Sequence, residues 1–280
     1  MSSCAASFGR FRLLDVDEQV TGADKSFVDG AMAYYLQFKK PCGLRPVTPA
    51  ETSKKLPSNA STKQQMRRFR HVEKLDQEPY SICFHLHPLA KTATALQHNI
   101  LLSYEKPPHS RAIYVCPLEL TSVKYMASMT PHCEDMYPFL FHEFQWIRHG
   151  AHVAHAARSL PYLRGHAAIV PHAIVSSADH YYSFSYHATD VAFHSPINLS
   201  PGPTRLSDYV GAEVEQILAA DTKPTVGQLV AGLRETAAAW IEPGDGLDAD
   251  DDFGWLHKHG LLLRQKHGIR QMVLLRRRRQ

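Results

Sequence analysis

Three apolar runs of strand length, each stopped by a proline, most constrain this chain. Ala31 to Lys39 (AMAYYLQFK) ends at Pro41, with Gly43, Pro46 and Pro49 close behind. Tyr80 to His87 ends at Pro88, and Ala112 to Cys116 ends at Pro117. Proline cannot donate to a ladder, so each run is a strand with a defined end. Between the last two runs, Ala93, Leu96, Ile100, Leu101 and Tyr104 recur at helical spacing, and Pro107-Pro108 closes that segment. Strands interleaved with a helix predict an α/β fold.

Residues 11–20 (Phe11, Leu13, Leu14, Val16, Val20) predict a short helix with Gly22 as its C-cap, and residues 23–28 a short strand. Gly30 reads as a turn before the 31–39 strand. Residues 50–78 are polar and basic, an exposed insertion that is partly helical over 61–75. The order over 11–117 is therefore αβββαβ, with the 80–87 strand, the 90–104 helix and the 112–116 strand forming a parallel crossover. A first unit spans 1–117. The remainder, 118–280, is a mixed α/β, mostly helical extension, either separate from that unit or continuous with the core. Helices are predicted over 118–129, 138–158, 205–221, 225–241 and 253–266, and strands over 167–170, 181–186, 191–193 and 271–275. Along 181–186, Tyr182, Phe184 and Tyr186 share one face, most simply a core face, with Ser183 and Ser185 on the other.

Composition narrows the class. A hydrophobic fraction of 44% and a charged fraction of 21% are those of a folded globular chain. The net charge of +4 permits a nucleic-acid partner without requiring one. Five widely spaced cysteines (Cys4, Cys42, Cys83, Cys116, Cys133) include no CxxC, so reduced thiols are expected, with Cys83 and Cys116 in the core. No long apolar run predicts a membrane span and no signal peptide is evident, which points to the cytoplasm. Eighteen histidines are scattered rather than clustered. His85-x-His87 and His149-x-x-His152-x-x-His155 lack the ligand set of a zinc site, so core or surface roles are expected of them. His98 is expected at the surface.

The chemistry concentrates around the first strand. Gln37 and Lys39 are two apart and share a strand face, while Phe38 points into the other layer. Upstream lie Glu18 and Asp24, in Glu18-Gln-Val-Thr-Gly-Ala-Asp24. Asp24, the amide oxygen of Gln37 and the carbonyl of Phe38 are hard oxygen donors suited to magnesium or manganese. A lysine beside them can position water and stabilise developing negative charge.

On these residues the chain resembles the PD-(D/E)xK, restriction-endonuclease-like, nuclease superfamily. It is nearest the Gln-x-Lys branch of Mrr-like endonucleases. The resemblance covers about 11–117 and implies a restriction-endonuclease-like αβββαβ core with a mixed sheet and metal-dependent cleavage of DNA. It makes Asp24 and Gln37 metal ligands, Lys39 the catalytic lysine and Glu18 an assisting acid. Gln97 falls where some members place a polar residue facing the site. The pattern departs from the family in having no proline before Asp24 and a neutral Gln at position 37. Asp29 is an alternative acid. Arg67, Arg68 and Arg70, with Arg276 to Arg279, are candidates for tracking a phosphate backbone. Two other readings stay open: a nuclease fold that binds nucleic acid or a protein without catalysis, and a histidine-using metalloenzyme.

Overall fold

The longest strand, Val28–Phe38 (β3), carries the candidate residues at its C-terminal end, and the rest of the fold is arranged around it. A computed structural model describes residues 7–8, 11–15, 28–89, 95–128, 161–193, 197–198, 204–219, 224–242 and 244–277. The chain begins with strands β1 (Ser7–Phe8) and β2 (Phe11–Asp15), then β3, β4 (Cys42–Leu44), helices α1 (Pro49–Thr52) and α2 (Thr62–Val72), and β5 (Ser81–His85). There follow α3 (Gln97–Ser103), β6 (Ser110–Pro117), α4 (122–128), α5 (Pro161–Arg164), and strands β7 (His166–Ile169), β8 (Tyr181–Ser185), β9 (Val191–Phe193), β10 (Ile197–Asn198) and β11 (Thr204–Arg205). Helices α6 (Leu206–Ala219), α7 (Val226–Ala237) and α8 (Asp252–His267) precede the last strand, β12 (Arg270–Arg277).

Two sheets result, and the chain is mixed α/β. The first has seven strands in the order β1-β2-β12-β3-β6-β7-β11, and the second five in the order β10-β9-β8-β5-β4. Among the described residues, only β3 and β6 pair in parallel; every other neighbouring pair is antiparallel.

Alternation explains how the layers meet. On β6, Ala112, Tyr114 and Cys116 face the second sheet, where Phe84, Tyr182 and Phe184 pack against them. Ile113 and Val115 face the other way, against Ala168 and Leu206. The first sheet is thus buried on both sides, which is why β6 reads as a continuous apolar run. From β3, Ala31, Ala33 and Tyr35 enter the larger core, which α7 and α8 close with Leu229, Leu233, Trp255 and Leu263. Tyr35 stacks on Tyr104 with ring centroids 4.0 Å apart.

The C-terminal helices follow local signals. Thr225 and Gln228 form a capping box at the start of α7. Asp251 accepts from the Gly254 N–H at the start of α8, and Gly268 ends that helix at φ 61°, a conformation glycine adopts without strain.

Several expectations need correction. Residues 11–15 are a strand, not a helix, because β12 pairs along them from Asp15↔Met272 to Phe11↔Arg276. Gly30 lies within β3, opposite Arg276 at a register shift, and not at a turn. The strands flanking α3 belong to different sheets, so the β5–α3–β6 crossover does not exist; the parallel partner of β6 is β3. The resulting order has no initial helix among the described residues and departs from αβββαβ. β12, from the C-terminal segment, lies between β2 and β3, so segments 1–117 and 118–280 share one sheet. The predicted 138–158 helix and most of the 23–28 strand lie outside the described residues.

Candidate functional site

Beyond Tyr35, β3 keeps its alternation, so Gln37 and Lys39 continue the face that looks into the space between the sheets. Gln37 is 4% exposed, and its Oε1 has no hydrogen-bond partner. Register sets Gln37 beside Tyr114 of β6. The Lys39 N–H donates to the Val115 carbonyl at 2.9 Å, anchoring the strand end.

The Lys39 ammonium lies over two aromatic rings. Its Nζ is 5.1 Å from the Tyr114 centroid and 5.9 Å from that of Phe84, across the gap in the second sheet. Ring faces attract a cation but do not replace its hydration shell. Burial accordingly lowers the Lys39 pKa to about 8, against a smaller opposing effect of Cys116. No ion pair joins Lys39 to a carboxylate among the described residues.

The Tyr114 ring is itself held. His98, on α3, has Nε2 2.7 Å from the Ala173 carbonyl and Nδ1 2.7 Å from the Tyr114 hydroxyl. A carbonyl only accepts, so Nε2 carries the proton and Nδ1 accepts from the phenol. Burial holds His98 down at about 4, and the nearby charges of His172 and Lys39 push the same way. His98 is therefore neutral near pH 7. A similar pair, His172 Nδ1 and the Tyr182 hydroxyl at 2.8 Å, stands alongside.

Gln97 is buried on α3. Its Nε2 donates to the carbonyl of His267, and its Oε1 has no partner. Among the described residues, the six buried side-chain polar atoms without partners are four phenol or indole groups and the amide oxygens of Gln37 and Gln97. An unpartnered amide oxygen is an acceptor of the kind a hard cation takes. The Phe38 carbonyl belongs to the same peptide as the Lys39 N–H that donates to Val115. A trans peptide directs it away from β6, toward β12, whose pairing with β3 stops at Leu36↔Arg270.

The sequence-derived set fares unevenly. Gln37 and Lys39 share a face, as their spacing implies. Asp24 and Glu18 lie outside the described residues. Phe38 is 54% exposed, so its side chain meets solvent and not a second layer. Among the described residues there is no group of three His, Cys, Asp or Glu side chains arranged to hold a metal ion.

Of the three arginines, Arg70 is the one corrected. Arg70 is 0% exposed and turned inward: Nε donates to Ser81 Oγ at 2.9 Å, NH1 to Ser183 Oγ at 3.4 Å, and NH2 to the Asp76 carbonyl at 2.7 Å and to the Asp190 carboxylate. Arg67 donates to the carbonyls of Arg45 and Pro46 and pairs with Glu51 at 2.8 Å. Arg68 donates to the Thr52 carbonyl at 2.9 Å. These arginines bind the α1–α2 segment to itself and to the second sheet. Arg276 and Arg277 lie in β12, while Arg278 and Arg279 are outside the described residues.

Histidine readings divide similarly. His85 and His87 are exposed, and His85 packs on the Tyr181 ring at 4.4 Å. His149, His152 and His155 are outside the described residues. His98 is buried at 2% exposure, not at the surface. Nothing in local spacing announces the His98–Tyr114 pair, because a tyrosine in an apolar strand reads only as core. Tyr182 and Phe184 are core residues as expected, at 0% exposure.

No helix among the described residues is long and apolar enough to cross a membrane. Comparison with protein-family models, with curated proteins and with solved structures finds no match.

Proposed function

We propose that this chain is a metal-dependent nuclease that hydrolyses phosphodiester bonds of DNA, on a mixed α/β fold whose element order departs from the restriction-endonuclease-like αβββαβ core. One observation carries the reading. The amide oxygen of Gln37 is buried without a donor, two residues from a lysine that is desolvated over aromatic rings. Orphaned buried acceptors and desolvated cations are uncommon in purely structural settings and concentrate where chemistry is done.

Magnesium or manganese would be held by Gln37 Oε1 and the Phe38 carbonyl, with Asp24 and Glu18 as the carboxylates. When bound, such an ion neutralises phosphate charge and lowers the pKa of a water ligand. The chain's own groups do the rest. Lys39 orients water and stabilises negative charge at the phosphate. Tyr114, its hydroxyl engaged by His98, fixes the ring over which Lys39 sits.

The test uses purified full-length protein, supercoiled plasmid and manganese or magnesium. Nicking is expected from the wild type and not from Lys39→Met or Asp24→Asn, with circular dichroism unchanged. Equal nicking by wild type and Lys39→Met overturns the catalytic assignment. Metal-independent DNA binding with no nicking by any form would replace it with the binding-module reading.

A further inference from the structure

A second reactive cluster lies on the far face of the second sheet and owes nothing to the nuclease reading. Cys42 of β4 and Cys83 of β5 are directly opposite each other in antiparallel register. Directly opposed residues have side chains on the same face and Cα atoms about 4.5–5.5 Å apart, within the range a disulfide spans. Both cysteines pack in one small cluster with Leu44 and Met66, under α2. Both are free thiols.

The two differ in access. Cys42 is half-buried on the edge strand of its sheet, and Cys83 is buried beneath it. Lys63, in the first turn of α2, is exposed, and the Cys42 sulfur near it raises its pKa. A thiolate, not a thiol, is the attacking form of a cysteine. Burial instead pushes the Cys83 thiol up to about 12. One sulfur is thus accessible and beside a cation, and the other is sheltered within bonding reach of it.

We propose that Cys42 and Cys83 are a peroxide-sensitive dithiol, with Cys42 as the attacking thiol and Cys83 as the resolving one. The Cys42 thiolate attacks one peroxide oxygen, the O–O bond breaks, and Cys42 becomes a sulfenic acid as hydroxide leaves and takes up the proton that the Cys42 thiol had released, giving water. The Cys83 sulfur then attacks the sulfenic sulfur, the S–O bond breaks, and the Cys83 proton leaves with the hydroxyl as a second water. Two thiols lose two electrons in all, and one peroxide is reduced to two waters. A dithiol reductant reverses the bond by exchange. The product would tie β4 to β5 three residues after Lys39.

Full-length protein is treated with dilute hydrogen peroxide, capped with N-ethylmaleimide and digested without reductant. The expected product is one cross-linked peptide pair holding Cys42 and Cys83, lighter by two hydrogens and released by dithiothreitol. In Cys83→Ser, Cys42 should accumulate a sulfenic acid trapped by dimedone; Cys83→Ala serves if the serine variant does not fold. Lys63→Gln should slow oxidation about threefold or more. Recovery of Cys42 and Cys83 both alkylated, while Cys4 or Cys133 has oxidised, overturns the proposal. So does a Cys83→Ser protein whose Cys42 yields no dimedone adduct.

Discussion

Lys39 and Arg70 are both cationic side chains turned toward the interior, and they are treated in opposite ways. Arg70 has each of its three nitrogens donating to a fixed acceptor and a carboxylate, Asp190, beside it. Asp190 is tied in turn to the Asp76 N–H at 3.0 Å. Lys39 sits on two rings without a carboxylate among the described residues. A buried charge that is fully hydrogen-bonded does structural work, fastening α2 to β5 and β8. One that is left undersatisfied weakens the fold, and the compensation for keeping it lies in what it can do.

The sharpest way to break this contrast is to remove each cation in turn. Arg70→Met strands Asp190 in a partly buried site and should lower stability by about 3–5 kcal/mol in urea unfolding. A loss below about 1 kcal/mol would mean that the network is dispensable.

Acid probes the neutral histidines that line the same interior. His98 and His259 are both held down at about 4 by burial, below their unfolded value near 6.5. Below 6.5 the unfolded chain binds protons that the folded chain refuses. Their stabilisation is therefore complete above that value and is lost as pH falls toward 4. Between pH 7 and 5 each should remove roughly 1–2 kcal/mol, read from urea midpoints, and His259→Gln should flatten the profile. A flat wild-type profile would show that neither group is buried neutral.

Lys39→Met should act in the reverse direction from Arg70→Met. Removing a desolvated charge should raise stability by about 1–2 kcal/mol after allowing for partial exposure, even as nicking disappears. The same substitution removes a cation that disfavours imidazolium, so the His98 pKa, followed by NMR, should rise. A fall in melting temperature would erase the distinction between the two cations. The smallest effect is expected from Ser183→Ala, which deletes only the 3.4 Å contact of Arg70 and should cost about 0.5–1 kcal/mol.

How much of this was legible in the sequence depended on the range of the contacts involved. The three C-terminal helices and β12 lie within a few residues of their expected bounds, since period and caps such as Thr225 and Gly268 are local. The shared face of Gln37 and Lys39 follows from alternation alone. The 11–15 segment could not be read correctly, because its strand state depends on β12, more than 250 residues away in the chain. The β5–β6 assignment failed for a related reason: apolar runs show that a strand is buried but not which sheet it joins. Arg70 sits in a basic stretch that resembles a solvated helix, and its carboxylate partner is 120 residues distant. The Cys42–Cys83 pairing was hidden in the same way, since two cysteines 41 positions apart become neighbours only through the β4–β5 register.

The place of β12 between β2 and β3 also bears on how the protein is made. During synthesis β3 emerges early, yet one of its edges stays open until residues 270–277 have been translated. Until then a long apolar strand has a free row of backbone donors and acceptors, the condition that invites pairing with another nascent chain. Translation of residues 270–277, rather than completion of any earlier segment, is then the step that lets the seven-stranded sheet close.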